Sequence, residues 1–193
     1  MRCLTGANSH KTARGFTLME LLISIAIFLI ITAMVIVNFH SGRYRDELVG
    51  GAEAISTSIR EMQTATSAGD VVECVAGVPE PPAGGFGVNL TLANSLITFG
   101  DCEGSTADYE FDALDSEVKT VSWSVNAPIT SLDVDSAVSS PMDIIFSANA
   151  ETVRLNGAND KISGIITLTH SKTGRQAEVR VNAITGQVFI TYL

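Results

Sequence analysis

Glu20 has the clearest chemistry in this chain of 193 residues. It stands at the lip of an apolar run, for no residue from Leu21 to Gly42 carries a formal charge when His40 is neutral. About 20 apolar residues cross the hydrocarbon core of a bilayer. A carboxylate near the start of such a helix costs a few kcal/mol unless it finds a partner. The chemistry expected of Glu20 is therefore electrostatic pairing, not proton transfer. The other candidates are weaker. His10, His40 and His170 are far apart in sequence, and no Gly-x-Ser-x-Gly elbow accompanies them, so no catalytic residue is assigned. Asp133 and Asp135 could offer carboxylates to calcium, but Asp-x-Asp without the rest of a calcium loop reads better as a solvated loop. No Cys/His group has metal-site spacing, and no metal or cofactor is expected. Asn89-Leu90-Thr91 fits a glycosylation sequon of low specificity. Lys172, Arg175 and Arg180 surround one turn and could touch phosphate, whereas a solvated hairpin edge explains them more simply.

The residues around Glu20 carry a resemblance. The stretch Arg14-Gly15-Phe16-Thr17-Leu18-Met19-Glu20-Leu21-Leu22 follows a short basic leader and opens the apolar run. It resembles the class III signal of type IV prepilins and type II secretion pseudopilins, over roughly Lys11 to Phe39. The resemblance implies that a prepilin peptidase cuts between Gly15 and Phe16 and that Phe16 is then N-methylated. It also gives Glu20, the fifth mature residue, a role in assembly. Physical chemistry agrees, since the freed α-amine of Phe16 is cationic near neutral pH. Glu20 of an incoming subunit could pair with the Phe16 amine of a neighbour, leaving neither charge alone in an apolar core. An ordinary signal anchor, its acid snorkelling to the headgroups, is the plainer alternative. A secretory signal fits less well, because its cut site would follow the apolar segment.

Charge and cysteines point the same way. The chain carries −9, and loss of Arg2, Lys11 and Arg14 with the leader would take it to −12. That balance argues against DNA, whose binding relies on basic side chains neutralising phosphates. The basic leader favours a cytoplasmic N-terminus, an asymmetry that Arg43 and Arg45 weaken without reversing. The expected location is the inner membrane, single-pass, with the C-terminal head outside the cytoplasm. Cys3 would leave with the leader. Cys74 and Cys102 would remain, and an even pair in an exported domain reads as a disulfide, with two buried thiols as the alternative.

The elements that position these residues follow from periodicity. Leu48, Ala52, Ile55, Ile59 and Met62 recur at spacings of 4, 3, 4 and 3, one face of an amphipathic helix. A helix from Phe16 to about Ser67 would be on the order of 80 Å long, with Gly50-Gly51 as its weak point. Expected segments are a leader at 1–15, a transmembrane half-helix at 16–40, an amphipathic half-helix at 41–68 and a β-rich head at 69–193. Strands are expected at Phe86 to Leu90, Ser95 to Phe99, Val118 to Val125, Met142 to Phe146, Ile162 to His170, Gln176 to Asn182 and Gln187 to Tyr192. The last three should form a meander through the turns Lys172-Thr173-Gly174-Arg175 and Thr185-Gly186. Pro79 to Gly85 and the acidic Asp101 to Asp115 read as loops. Trp123 and Phe146 read as core. The fold class is α+β and pilin-like, a long N-terminal helix whose second half packs on an antiparallel sheet.

The strand with Phe146 and the glycine turns after it resemble the C-terminal region of H-type minor pseudopilins and related minor pilins. That resemblance implies a minor subunit of a type IV pilus or type II secretion pseudopilus. Its implied partners are the prepilin peptidase, other pilin or pseudopilin subunits, an inner-membrane assembly platform, and membrane lipid before assembly. The alternatives are a DNA-binding minor pilin of a competence pilus and a membrane-anchored binding protein that does not polymerise.

Overall fold

The computed structural model describes residues 16–75, 78–102, 109–147 and 153–193, with the side chains of 37–41 and 75 excepted. The leader, Gly15 and the His40 side chain lie outside the described residues. The chain divides into two units, 1–42 and 43–193. One helix, α1 (Leu18–Ala68), contributes to both.

In the first unit α1 is apolar and bare. Leu18–Ile36 has a mean hydropathy of 2.7, long and apolar enough to cross a membrane, and none of it is buried within the chain. Its polar side chains turn back on the helix. The Ser24 hydroxyl donates to the Glu20 carbonyl and the Thr32 hydroxyl to the Phe28 carbonyl, each at 2.8 Å. Such internal bonding satisfies hydroxyls where no water can reach them.

In the second unit the helix is amphipathic, as the spacing predicts. Leu48, Ala52, Ile55, Ile59, Met62 and Ala65 are all buried. Each fully buried Ile or Leu contributes about 1.5–3 kcal/mol by leaving water. The helix runs unbroken through Gly50 and Gly51, and the two glycines differ. Gly50 faces open space, whereas a Cβ on Gly51 would lie 2.9 Å from both Leu168 Cδ2 and Trp123 Cδ1. Gly51 is thus a close-approach point rather than a weak point. The helix ends where Gly69 takes a left-handed φ of 69° and Asp70 N–H bonds the Ala65 carbonyl at 3.0 Å.

Among the described residues the head holds twelve antiparallel strands. A hairpin of β1 (Val72–Val75) and β2 (Val78–Glu80) comes first. Next in the chain are β3 (Gly85–Leu90), β4 (Ser95–Asp101), β5 (Ser116–Ser122), β6 (Ile129–Val134), β7 (Ala137–Val138), β8 (Met142–Phe146) and β9 (Val153–Leu155). The chain ends with β10 (Ser163–Thr169), β11 (Gln176–Asn182) and β12 (Val188–Tyr192). They form two five-stranded sheets, ordered β5-β4-β3-β8-β9 and β12-β11-β10-β6-β7. The helix stripe, Phe86, Val88 and Leu90 of the first sheet, and Leu132, Ile166, Leu168, Val179 and Val181 of the second share one core. All seven expected strands form, and the last three make the expected meander. Phe146 is core, and Trp123 is half-buried against it, its Nε1–H donating to the Ala127 carbonyl at 2.7 Å.

Three expectations need correction. Leu132 to Val134 belong to strand β6, not a loop, because their backbone pairs with β10. Asp101 is fully buried at the end of β4 rather than exposed, and its carboxylate accepts the Tyr109 N–H at 3.2 Å. Nearby, Phe111 covers the far side of β4 with its ring 4.9 Å from that of Phe99. The acids here cap backbone: Asp115 accepts the N–H groups of Cys102 and Asp112, each at 3.0 Å. Residues 103–108 of that segment lie outside the described residues. Finally, Pro79 and Glu80 belong to β2 rather than to a loop.

Candidate functional site

Glu20 occupies the third position of α1, and Thr17 immediately precedes the helix. The Glu20 N–H donates to Thr17 Oγ1, while Glu20 Oε2 accepts the Thr17 N–H and the Thr17 hydroxyl, each at 3.2 Å. This is a reciprocal capping box, in which the first-turn donors of a helix are satisfied by the side chains at its entrance. The signature Thr-x-x-Glu is legible in the residues, and it gives Glu20 a local role beside any intermolecular one. It also holds the carboxylate against Thr17, the residue that follows Phe16, which is 81% exposed.

The cysteines are joined. Cys74 and Cys102 form a disulfide with Cα atoms 5.2 Å apart and a sequence separation of 28, tying β1 to the end of β4. A loop of that size stabilises by about 3–4 kcal/mol through the unfolded chain.

A polar cluster in the second unit was not foreseen. His170 is fully buried, and its Nε2 lies 3.3 Å from Glu47 Oε2. Its Nδ1 accepts the Lys172 N–H at 3.3 Å, so Nε2 carries the proton and donates to Glu47. The Asn126 amide donates to the same Glu47 oxygen at 2.9 Å, and Arg43 Nε donates to Oε1 at 3.1 Å. The Asn126 bond leads in pulling the Glu47 carboxyl down to about 2, with His170, Arg43 and Ser124 adding to it against the opposing effect of burial. The Tyr44 ring packs against His170 at a tilt of 47°, with ring centroids 5.1 Å apart. One signal could have found His170: Gly164, Ile166 and Leu168 alternate inward along β10, and the next inward position is 170. Glu47 and Asn126 carry no such pattern.

The remaining candidates separate. Arg180 Nη2 lies 3.7 Å from Glu178, while Lys172 Nζ lies 5.9 Å over the Tyr44 ring. The three cations thus do not converge on one phosphate site. Asp133 accepts the Ser131 hydroxyl at 2.8 Å. Asp135 accepts the N–H groups of Ser163 and Ile162 at 2.9 and 3.0 Å, and the Ser163 bond leads in lowering its carboxyl below the usual range. Asp133 thus serves a side-chain hydroxyl and Asp135 serves backbone, and among the described residues no cluster of His, Cys, Asp and Glu could hold a metal ion.

Against known families, the model of the prokaryotic N-terminal methylation motif matches residues 10–36. Comparison with curated proteins and with solved structures found no match. The matched segment contains the capping box and most of the apolar run, and the head follows it as antiparallel sheets packed on the amphipathic helix. The chain is therefore prepilin-like, an N-terminal methylation motif on a pilin-like α+β fold, with a part in a pilus or pseudopilus.

Proposed function

We propose that this chain is a precursor cut between Gly15 and Phe16 by a prepilin peptidase and N-methylated on Phe16. The mature protein then enters a filament, as a minor subunit, through its N-terminal helix. The observation that carries this reading is an apolar helical segment, none of it buried among the described residues, entered through Glu20 within the matched motif. Lipid covers such a helix before assembly, and the helices of other subunits cover it afterwards. The inner-membrane assembly platform would mediate that exchange. The Glu20 carboxylate of an arriving subunit would meet the Phe16 amine of one already in place, because each charge is costly alone in an apolar medium.

Glu20→Gln tests this reading and separates the two roles of Glu20. Glutamine keeps an acceptor for the Thr17 N–H, so the capping box survives while the charge is lost. The expected result is a membrane-inserted, correctly processed protein that no longer enters filaments. Normal incorporation of this variant would remove the charge pairing from the account. Mass spectrometry of the natural N-terminus should find methylated phenylalanine, and an intact leader on the functional protein would overturn the processing.

A further inference from the structure

Four of the nine lysines and arginines that follow Gly15 gather at one end of the second unit. Arg43 and Arg45 lie on the first turn of its helical segment, and the hairpin after β10 brings Lys172 and Arg175 beside them. The contacts are specific. Lys172 Nζ stands over the Tyr44 ring, and Arg45 and Arg175 line one shallow cleft of about 230 Å³ with Tyr192 and Leu193. All four cations are exposed. Two of the three tyrosines of the chain, Tyr44 and Tyr192, are interleaved with them. Glu47 pairs with Arg43 at 3.1 Å and offsets one of these charges, while Asn126 and His170 hold the same carboxylate. Asp46 is the exposed acid on the same turn.

We infer that Arg43, Arg45, Lys172 and Arg175, with Tyr44 and Tyr192, form a collar that binds the anionic phospholipid headgroups of the outer leaflet of the membrane holding the apolar helix. The inference rests on the membrane-anchored reading above. Two arguments select lipid over other phosphates. Arg43 follows Ile36 by only seven positions, and the chain over that distance reaches at most about 25 Å. Arg43 therefore lies within that reach of the end of the apolar span. Tyrosine at the headgroup level, beside snorkelling cations, is also the composition of a membrane interface. Each basic residue near an anionic surface strengthens attraction about fivefold, and salt screens the effect within a Debye length. Nucleic acid would instead face an acidic protein with few other cations.

The test uses the full chain in nanodiscs of phosphatidylcholine, with or without about one-third phosphatidylglycerol as an anionic surface. Co-purification with the discs in both lipids checks anchoring alone, so failure there counts against the membrane reading and not against the collar. The readout is the acylation rate of each lysine by mass spectrometry. Lys172 should be slowed severalfold by phosphatidylglycerol and released by high salt, while Lys119 and Lys161 keep their rates. Arg45→Gln with Arg175→Gln should return Lys172 to its rate in phosphatidylcholine. Equal Lys172 rates in the two lipids would overturn the inference. So would protection by a DNA duplex added to phosphatidylcholine discs where phosphatidylglycerol gives none, which would assign the cluster to nucleic acid.

Discussion

Glu20 and Glu47 lie on the same helix, and their surroundings differ in kind. Among the described residues the Glu20 carboxylate is bonded by Thr17, three residues away. Glu47 is bonded by Arg43 one turn away and by Asn126 and His170, which arrive from the head. The apolar residues beside them repeat the contrast. None of Leu18–Ile36 is buried among the described residues, whereas the Leu48 to Ala65 stripe is covered by two sheets. The difference teaches that one helix can hold two solutions to the same problem. Its first part leaves its apolar surface for an environment outside the chain, and its second part finds cover within it.

Substitutions of equal size in the two parts should break the symmetry most sharply. Ile55→Ala empties a fully buried site and should lower the stability of the head by about 2–5 kcal/mol, read from denaturant unfolding followed at Trp123. Ile27→Ala should leave that transition where it was, since Ile27 is 53% exposed. Equal effects would mean that the two parts are not independent.

The glycine pair gives a smaller version of the same comparison. Gly51→Ala forces Leu168 or the Trp123 ring aside and should cost about 1–3 kcal/mol. Gly50→Ala meets open space and should stabilise by up to about 1 kcal/mol through helix propensity. Thermal midpoints moving in the same direction would contradict the close approach at Gly51.

The smallest effect concerns Glu47 and acid. Its carboxyl is held at about 2, below its ordinary value of 4.5, so the folded state prefers the charged form. The associated stability is fully present above about 4.5 and is lost as the pH falls through about 2. Glu47→Gln should be less stable than the parent at neutral pH, with the gap closing over that window. A gap constant with pH would show that shape and not charge matters at this position.

Much of the fold is legible in local pattern. The alternation through Val179 and Val181, the glycine turns at Gly174 and Gly186, and the stripe from Leu48 to Met62 each identify an element, because burial on one side imposes a period on the chain. What escaped was short or polar. β6 carries Thr130, Ser131 and Asp133 and resembles a loop, while β7 has two residues and β9 three. Asp101 and Asp115 misled in another way, since an acid that caps backbone N–H groups has the same composition as one that faces water.

The sequence alone determined the apolar helix, its entry through Thr17 and Glu20, the amphipathic stripe, and the cysteine pair able to bridge. Each is a matter of near neighbours or of residue chemistry. Only the tertiary structure decided that two sheets share the stripe, that Gly51 touches Trp123 and Leu168, and that His170 meets Glu47. The same is true of Arg45 and Arg175, which line one cleft though 130 positions apart. Strand pairing such as β3 with β8 or β10 with β6 joins residues distant in the chain, and the choice of partner is a property of the whole packed core rather than of any segment within it.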